Sequence, residues 1–336
     1  MNPDHSGSSS IVDGKVIVLS GGVGGAKLVL GLSHAVANDQ LVVVTNTGDD
    51  FDHFGLRICP DTDTVLYTLA GLSNTELGWG RANETWTFMQ TIKELGGPDW
   101  FNLGDADLAL HIVRTQALKS GKTLTQVIAQ LAQQLGIGVS LLPMSDQPVH
   151  TRVNTPNGQL AFQEYFVRDR CEPAVSGFEF AGIAQAQPNP LLLNALAATP
   201  AVVVIAPSNP YVSVDPILSV PGMREAIKHC GAPIVAVSPI VAGGAIKGPA
   251  AKMMQELDVP CSVEGIAQHY RGFIDGLIID QQDAASAEAI AATGLSVRIA
   301  PSIMRTLDDR IALARVTLEF GREITRDRGG SLSGNE

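Results

Sequence analysis

The sequence predicts an α/β protein built on a doubly wound, mainly parallel sheet, and three observations predict it. First, short apolar runs rich in β-branched residues recur at 15–19, 41–45, 201–206, 234–237, 276–279 and 296–299, with helical periodicity between most of them. Second, the first run ends in Ser20-Gly21-Gly22-Val23-Gly24-Gly25-Ala26-Lys27, a strand–glycine–helix junction of the kind that binds anions. Third, the middle of the chain changes character. The stretches 149–153 and 160–167 alternate around Asn157-Gly158, an antiparallel hairpin signal. Together these give a Rossmann-like core at 15–62 and 200–322. A cap and substrate-binding region of helices and a hairpin is inserted at 63–199, and polar tails occupy 1–14 and 323–336.

Composition sets the bounds. Of 336 residues, 45% are hydrophobic and 17% charged, which marks a compact chain with a large core. The net charge is −11 and Lys and Arg form no run, so a broad nucleic-acid surface is excluded. No apolar stretch reaches the roughly 18 residues a membrane span needs. The opening MNPDHSGSSS lacks the basic region and apolar core of a signal peptide. Cys59, Cys171, Cys230 and Cys261 lie far apart with no metal-binding spacing, and read as reduced thiols in a cytoplasmic protein.

Taken in order, the first element carries the first candidate site. Gly21, Gly22, Gly24 and Gly25 allow a tight turn and close approach of a ligand, and a helix starting near Leu28 points its free N–H groups back at them. With Lys27 they form a phosphate or nucleotide site. It matches neither common fingerprint: counted from Gly22, Lys27 stands where a dinucleotide site needs its last glycine, and Ala26 precedes Lys27 where a P-loop needs glycine. The second strand ends in Thr45-Asn46-Thr47-Gly48-Asp49-Asp50, so no acid stands ready for an NAD ribose. Pro60-Asp61-Thr62-Asp63-Thr64 follows one loop later. Ligands of open α/β sheets bind beyond the carboxyl ends of the strands, so the glycines, Asn46, Asp49 and Asp63 are expected to converge. Phosphate beside carboxylates is repulsive unless a cation lies between them, and oxygen donors beside phosphate suit magnesium. Turn and helix-cap roles for Asp49, Asp50 and Asp63 stay open at this level.

The cap region comes next. A short helix is expected at 64–70. Trp79 and Trp86 either wall a flat ring system or pack a helical insertion. A loop carrying Asn102 leads to a helix at 108–118, where Asp105 suits the N-terminus and His111 reads as packed beside Arg114. Residues 124–135 read as plain core. Asp146, after a strand-like run, offers a carboxylate to a guanine edge or simply makes a turn. In the second half, strands end in Ser208-Asn209 and in Ser238, neutral groups suited to a nucleotide, and Pro249 is placed to open a helix. Arg224 and Lys247 are candidate partners for a carboxylate or phosphate. An amphipathic helix at 307–320 closes the chain.

The motifs SGGVGGAK, NTGDD, CPDTDTVLYTLAG, GWG, NLGDADLALHIVR, LLPMSDQPV, APSNP, SVPGMRE and SPIVAGGAIKGPA occur in an order that resembles the 2-phospho-L-lactate transferase family. The resemblance runs from about Lys15 to about Phe320 and implies a place in coenzyme F-420 biosynthesis. Such an enzyme moves a phosphorylated three-carbon acid (phospholactate, phosphoenolpyruvate or 3-phosphoglycerate) from a guanosine diphosphate adduct to the deazaflavin FO, and GMP leaves. The resemblance further implies Mg2+ at Asp49 and Asp63; Asp50 joins them in the catalytic set as a candidate to accept the FO hydroxyl proton, with a deazaflavin contact or a turn role as its alternatives. It implies FO contacts from Asp63, Asn102 and Trp79, and a homodimer. Members often carry a basic residue where this chain has Asn102. A regulator of the same fold that binds UDP-sugars is the alternative, with the CPDTDT, LPMSD and APSNP clusters favouring the transferase.

Overall fold

The computed structural model describes residues 11–74, 78–245 and 248–332, with side chains to residue 329. The strands are β1 Val16–Ser20, β2 Leu41–Thr45, β3 Phe51–His53, β4 Leu56–Ile58, β5 Ser140–Pro143, β6 His150–Thr155, β7 Gly158–Ala161 and β8 Gly177–Ala181. They continue as β9 Val202–Ile205, β10 Ile234–Val237, β11 Ile240–Val241, β12 Gly244–Ala245, β13 Gly276–Ile279 and β14 Ser296–Ile299. Seven of them form one parallel sheet in the order β14-β13-β10-β9-β1-β2-β5. The α/β doubly wound reading therefore holds. Central β1 pairs on both edges, Val18 opposite Val43 and Val204.

Alternate residues of these strands serve separate cores. Ile17, Leu19, Val42, Val44, Val203 and Ile205 face one side, while Val16, Val18, Leu41, Val43, Val202 and Val204 face the other. With both faces covered, neither set needs to be polar, so each strand reads as an unbroken apolar run. Helix α1 (Gly22–Ser33) lies on the second face against the C-terminal helix Leu307–Leu332. A Cβ at Gly31 would stand 2.1 Å from Arg310 O, so only glycine permits that approach.

Four expectations change. Helix α1 begins at Gly22 rather than near Leu28, so most of the glycine segment is its first turn. Residues 160–167 are not one strand: β7 ends at Ala161 and Glu164–Arg168 coil into a π-type turn, while β8 supplies the third strand of the small sheet β7-β6-β8. The ends are more ordered than their polarity suggests, since Val12 is buried in the core and the last helix continues to Leu332. Finally, β5 lies within 63–199 yet pairs in parallel with β2, Val43 opposite Leu141. The chain leaves the central sheet after β2, builds the helical half of the cap, and returns to the same sheet.

That half holds α2 (Pro60–Leu69), α3 (Thr87–Glu94), α4 (Asp105–Lys119) and α5 (Leu124–Gln134). Pro60 sits in the first turn of α2, where its missing N–H costs nothing, so the helix starts before Thr64 and takes Asp61 and Asp63 into that turn. The cap has its own small core of Ile58, Met89 and Leu103. Among the described residues no helix is long and apolar enough to cross a membrane.

Candidate active site

A cavity of about 640 Å³ opens where the carboxyl ends of β1, β2 and β9 meet the cap. Gly21, Gly22, Gly24, Asp49, Asp63, Trp79, Asn102, Ser208 and Asn209 all border it, so nine of the residues singled out from sequence are brought together. Asp61, Tyr67, Asp107, Phe166 and Ser213 border it too, and sequence reasoning passed over them.

The glycines do more packing than cradling. A Cβ at Gly24 would lie 2.3 Å from Pro207 O, and one at Gly21 2.4 Å from Ser213 Cβ. At Gly25 it would meet Ser20 Oγ at 2.5 Å and Ser208 Oγ at 2.8 Å. Gly22 differs: its φ of +62° is the left-handed region, and the space beside it is open apart from Asp61. Two N–H groups of this segment already have partners. Gly21 N–H donates to Ser208 Oγ at 3.2 Å, and Gly22 N–H donates to Asp61 Oδ1 at 2.7 Å.

Asn46 organises the end of β2. Its Nδ2 donates to Asp61 Oδ2 and to Val212 O, each at 3.0 Å, while its Oδ1 accepts from Gly48 N–H at 2.8 Å. Asp49 and Asp50 follow from that turn, both 5% exposed. Asp49 Oδ1, Asp50 Oδ1 and Thr47 Oγ1 are buried with no hydrogen-bond partner. Burial, then the charge of Asp61, hold the Asp49 carboxyl well above the usual range. Burial pushes Asp50 up to about 8 against the opposing pull of the Cys59 thiol and Arg114. It pushes Asp61 to about 6, with the Asn46 and Gly22 donors working the other way. Asp50 borders not the large cavity but a smaller one of about 230 Å³, which shares Asp49.

Asp63 is held from the cap. Arg114 on α4, fully buried, grips both its oxygens: Nη1 donates to Oδ2 at 3.0 Å and Nη2 donates to Oδ1. His111 Nδ1 stands 3.7 Å from Asp63 Oδ2, and His111 Nε2 3.3 Å from Asp107 Oδ2. Tyr67 OH donates to Asp107 Oδ1. Burial alone would raise Asp107, but its bonds to His111 and Tyr67 outweigh that and lower it. His111 is buried, as expected, and the shared helix face of His111 and Arg114 that could meet an anion meets the carboxylates of Asp63 and Asp107, which fastens α4 to α2.

Other candidates lie elsewhere. Asp146 does not border the cavity; its Oδ1 accepts from Thr125 N–H at 2.7 Å and Thr125 Oγ1 at 2.8 Å, which ties down the first turn of α5. Lys27 borders a neighbouring cavity of about 520 Å³ and donates to Met304 O. Asn209 borders both large cavities, but its Oδ1 accepts from Tyr211 N–H at 3.0 Å and so shapes its own turn. Arg224 lies over the Phe273 ring, and Ser238 Oγ donates to Ile240 O. Lys247 falls outside the described residues. Trp79 is 49% exposed and meets Trp86 edge to face, with ring centres 6.4 Å apart.

The profile of the family described as 2-phospho-L-lactate transferase CofD matches residues 16–300. A phosphoenolpyruvate transferase of Streptomyces griseus is 42% identical over 316 residues, which cover 92% of this chain and 99% of that protein. A 2-phospho-L-lactate transferase of Methanosarcina mazei is 36% identical over 304 residues, covering 90% and 99%. A crystal structure of a UPF0052 family member from Bacillus halodurans superposes with a TM-score of 0.61 at 18% identity, over 91% of this chain and all of that one. At that identity the likeness is one of fold.

Proposed function

This chain belongs to the 2-phospho-L-lactate transferase CofD family, and from that premise we propose that it transfers a phosphorylated three-carbon acid from a diphospho-5′-guanosine adduct to FO, releasing GMP, in coenzyme F-420 biosynthesis. One observation carries the reading: a single cavity has buried carboxylates and the start of α1 on one side and the apolar groups Ile58, Trp79, Phe101 and Phe166 on the other. A diphosphate suits the first side and a flat deazaflavin the second. Of the three acids, phosphoenolpyruvate comes first, supported by the name of the Streptomyces griseus relative. None of the similar proteins supports the UDP-sugar alternative.

The donor set fits magnesium. Magnesium binds through one or two carboxylates together with substrate phosphates and water, and needs no closed protein cage. Among the described residues no group of three or more His, Cys, Asp or Glu is placed to hold a metal unaided, whereas Asp49, which borders the cavity, keeps a buried oxygen with no hydrogen-bond partner. Asp49 and Asp63 would hold the ion, Asp63 being kept in aim by Arg114. When bound, the ion supplies charge neutralisation for the departing nucleotide. The protein's own groups do the rest. Asp50, next to Asp49 and bordering the smaller cavity, would be a weak base beside the ion, and phosphoryl transfer through a loose transition state asks little of one. Trp79 and Asn102 contact the deazaflavin, and exclusion of water by the apolar wall favours FO over hydrolysis. A cytoplasmic setting and a homodimer belong to the same proposal, and light scattering on the purified protein tests the latter.

Incubation with FO, MgCl2 and each of the three adducts, followed by mass spectrometry, tests the reading. The expected product is FO enlarged by the phospho-acid, with GMP released in equal amount. Absence of every such product from folded protein refutes it.

A further inference from the structure

We propose that Asp61 makes nucleoside-diphosphate binding conditional on a divalent cation, because its carboxylate already occupies the anion seat at the start of α1. The inference rests on the transferase reading above and deepens it. An anion at a helix N-terminus is held by free backbone N–H groups. Here the N–H of Gly22, a residue that borders the cavity, is taken by Asp61 Oδ1 at 2.7 Å. The second oxygen of Asp61 is clamped by Asn46 Nδ2 at 3.0 Å, and Asn46 is itself fixed by Val212 O and Gly48 N–H. Asp61 is therefore not a side chain that swings freely aside: it is 7% exposed and tied to α1 and, through Asn46, to the end of β2. It nevertheless borders the cavity, as does Asp49.

Charge completes the argument. Among the described residues that border this cavity there is no lysine or arginine, and the basic group that does border it, His111, lies between Asp63 and Asp107 rather than beside Asp49 and Asp61. A diphosphate placed at Gly22 would face Asp49 and Asp61 at close range in a partly dry site, where repulsion is strong. A divalent cation between phosphate and carboxylates turns that repulsion into attraction. Asp61 is thus a positioning residue: it organises the empty site and admits the nucleotide only together with its cation. Coupling of this kind is reciprocal, so the nucleotide must tighten the cation by the same factor.

Calorimetric titration of GDP into wild type and Asp61→Asn, in EDTA and in MgCl2, tests this. Wild type should bind GDP at least about tenfold more tightly with Mg2+, whereas Asp61→Asn, which keeps an oxygen for Gly22 N–H, should bind nearly as tightly in EDTA, with a residual dependence under about threefold. Mn2+ binding, followed by paramagnetic resonance with and without GDP, should show the same factors in reverse. If Asp61→Asn fails to fold, Asp61→Ser provides the neutral variant. The proposal is overturned if a folded neutral variant keeps the wild-type Mg2+ dependence, or if it binds GDP weakly in both buffers, as loss of a metal ligand would produce. Cation-independent GDP binding by wild type overturns it while leaving the transferase reading standing. No GDP binding by wild type in either buffer refutes both.

Discussion

The two walls of the large cavity are built by opposite means. On the charged side, made by the ends of the sheet strands and the first turn of α2, Gly21, Gly24 and Gly25 leave no room for a methyl group, and Asp61 is buried and clamped. On the cap side, Trp79 is 49% exposed, Phe166 is 39% exposed, and the small core at α3 has Ile58, Met89 and Leu103 buried, with partly buried groups such as Phe51, Phe88 and Phe101 around them. The contrast separates two tasks. Groups that handle charge must be held within fractions of an ångström, because electrostatic preorganisation is worth little if donors and acceptors wander. Groups that grip a flat ring need area more than precision.

The contrast can be broken or sharpened in order of effect. The largest belongs to the charged wall: Asp49→Ala or Asp63→Ala should lower kcat about a hundred- to a thousandfold at saturating Mg2+, and near-normal turnover in both would remove the metal role. Gly24→Leu should cost more than about 3 kcal/mol of folding free energy, since its side chain would run into Pro207 O. Denaturant unfolding measures this, and a well-folded variant that merely loses GDP would make Gly24 a ligand contact instead. On the cap wall, Trp79→Ala should raise KM for FO by about five- to thirtyfold, the worth of one aromatic contact, with melting temperature unchanged. A collapse in stability would show that Trp79 packs the cap.

Acidity gives a smaller, graded effect. The Asp50 carboxyl lies near 8 in the folded protein against an ordinary 3.8, so the folded state holds the proton more tightly than the unfolded chain. Its contribution to stability is full below about 4 and falls as pH rises towards about 8. In EDTA the melting temperature should drop between pH 5 and pH 8, and Asp50→Asn should flatten the slope. Smallest of all, Asp146→Ala should cost about 1 kcal/mol by freeing the first turn of α5, with GDP affinity unaltered. A tenfold loss of GDP affinity would restore the guanine role weighed from sequence.

What was legible follows the same division. Five of the six predicted strands were visible because burial on both faces leaves almost no polar residues to blur them, whereas the edge strand β14, with Ser296 and Arg298, is more exposed. The convergence of glycines, Asn46, Asp49 and Asp63 followed from strand ends alone. The inner workings were not legible. A run of glycines looks the same whether it cradles phosphate or lets a helix lie against Pro207 and Ser213. Asp146 shows why a carboxylate after a strand is ambiguous, since it turns to Thr125 instead of the cavity. Asp61 stood in plain view two residues before Asp63, but spacing cannot tell which of two acids in one helical turn faces Gly22 and which faces Arg114. The hairpin around Asn157-Gly158 is present, with Val153 opposite Leu160, but the π-type turn at Glu164–Arg168 cut its second strand short of the expected 167, because Phe166 and Val167 are as apolar as strand residues. There the contacts of the cavity, not local preference, decide the backbone.

The edge strand β5 has a consequence for how the molecule assembles. Because Leu141 must find Val43 across the whole helical part of the cap, this pairing closes one of the longest loops in the chain and carries a matching entropic cost. The acid-bearing turn after β2 is therefore completed late, only once α2 to α5 have collapsed and delivered β5 alongside. A chain in which β5 has not yet docked would carry an unpaired β2 edge, which makes this step the natural place for a chaperone to intervene or for aggregation to begin.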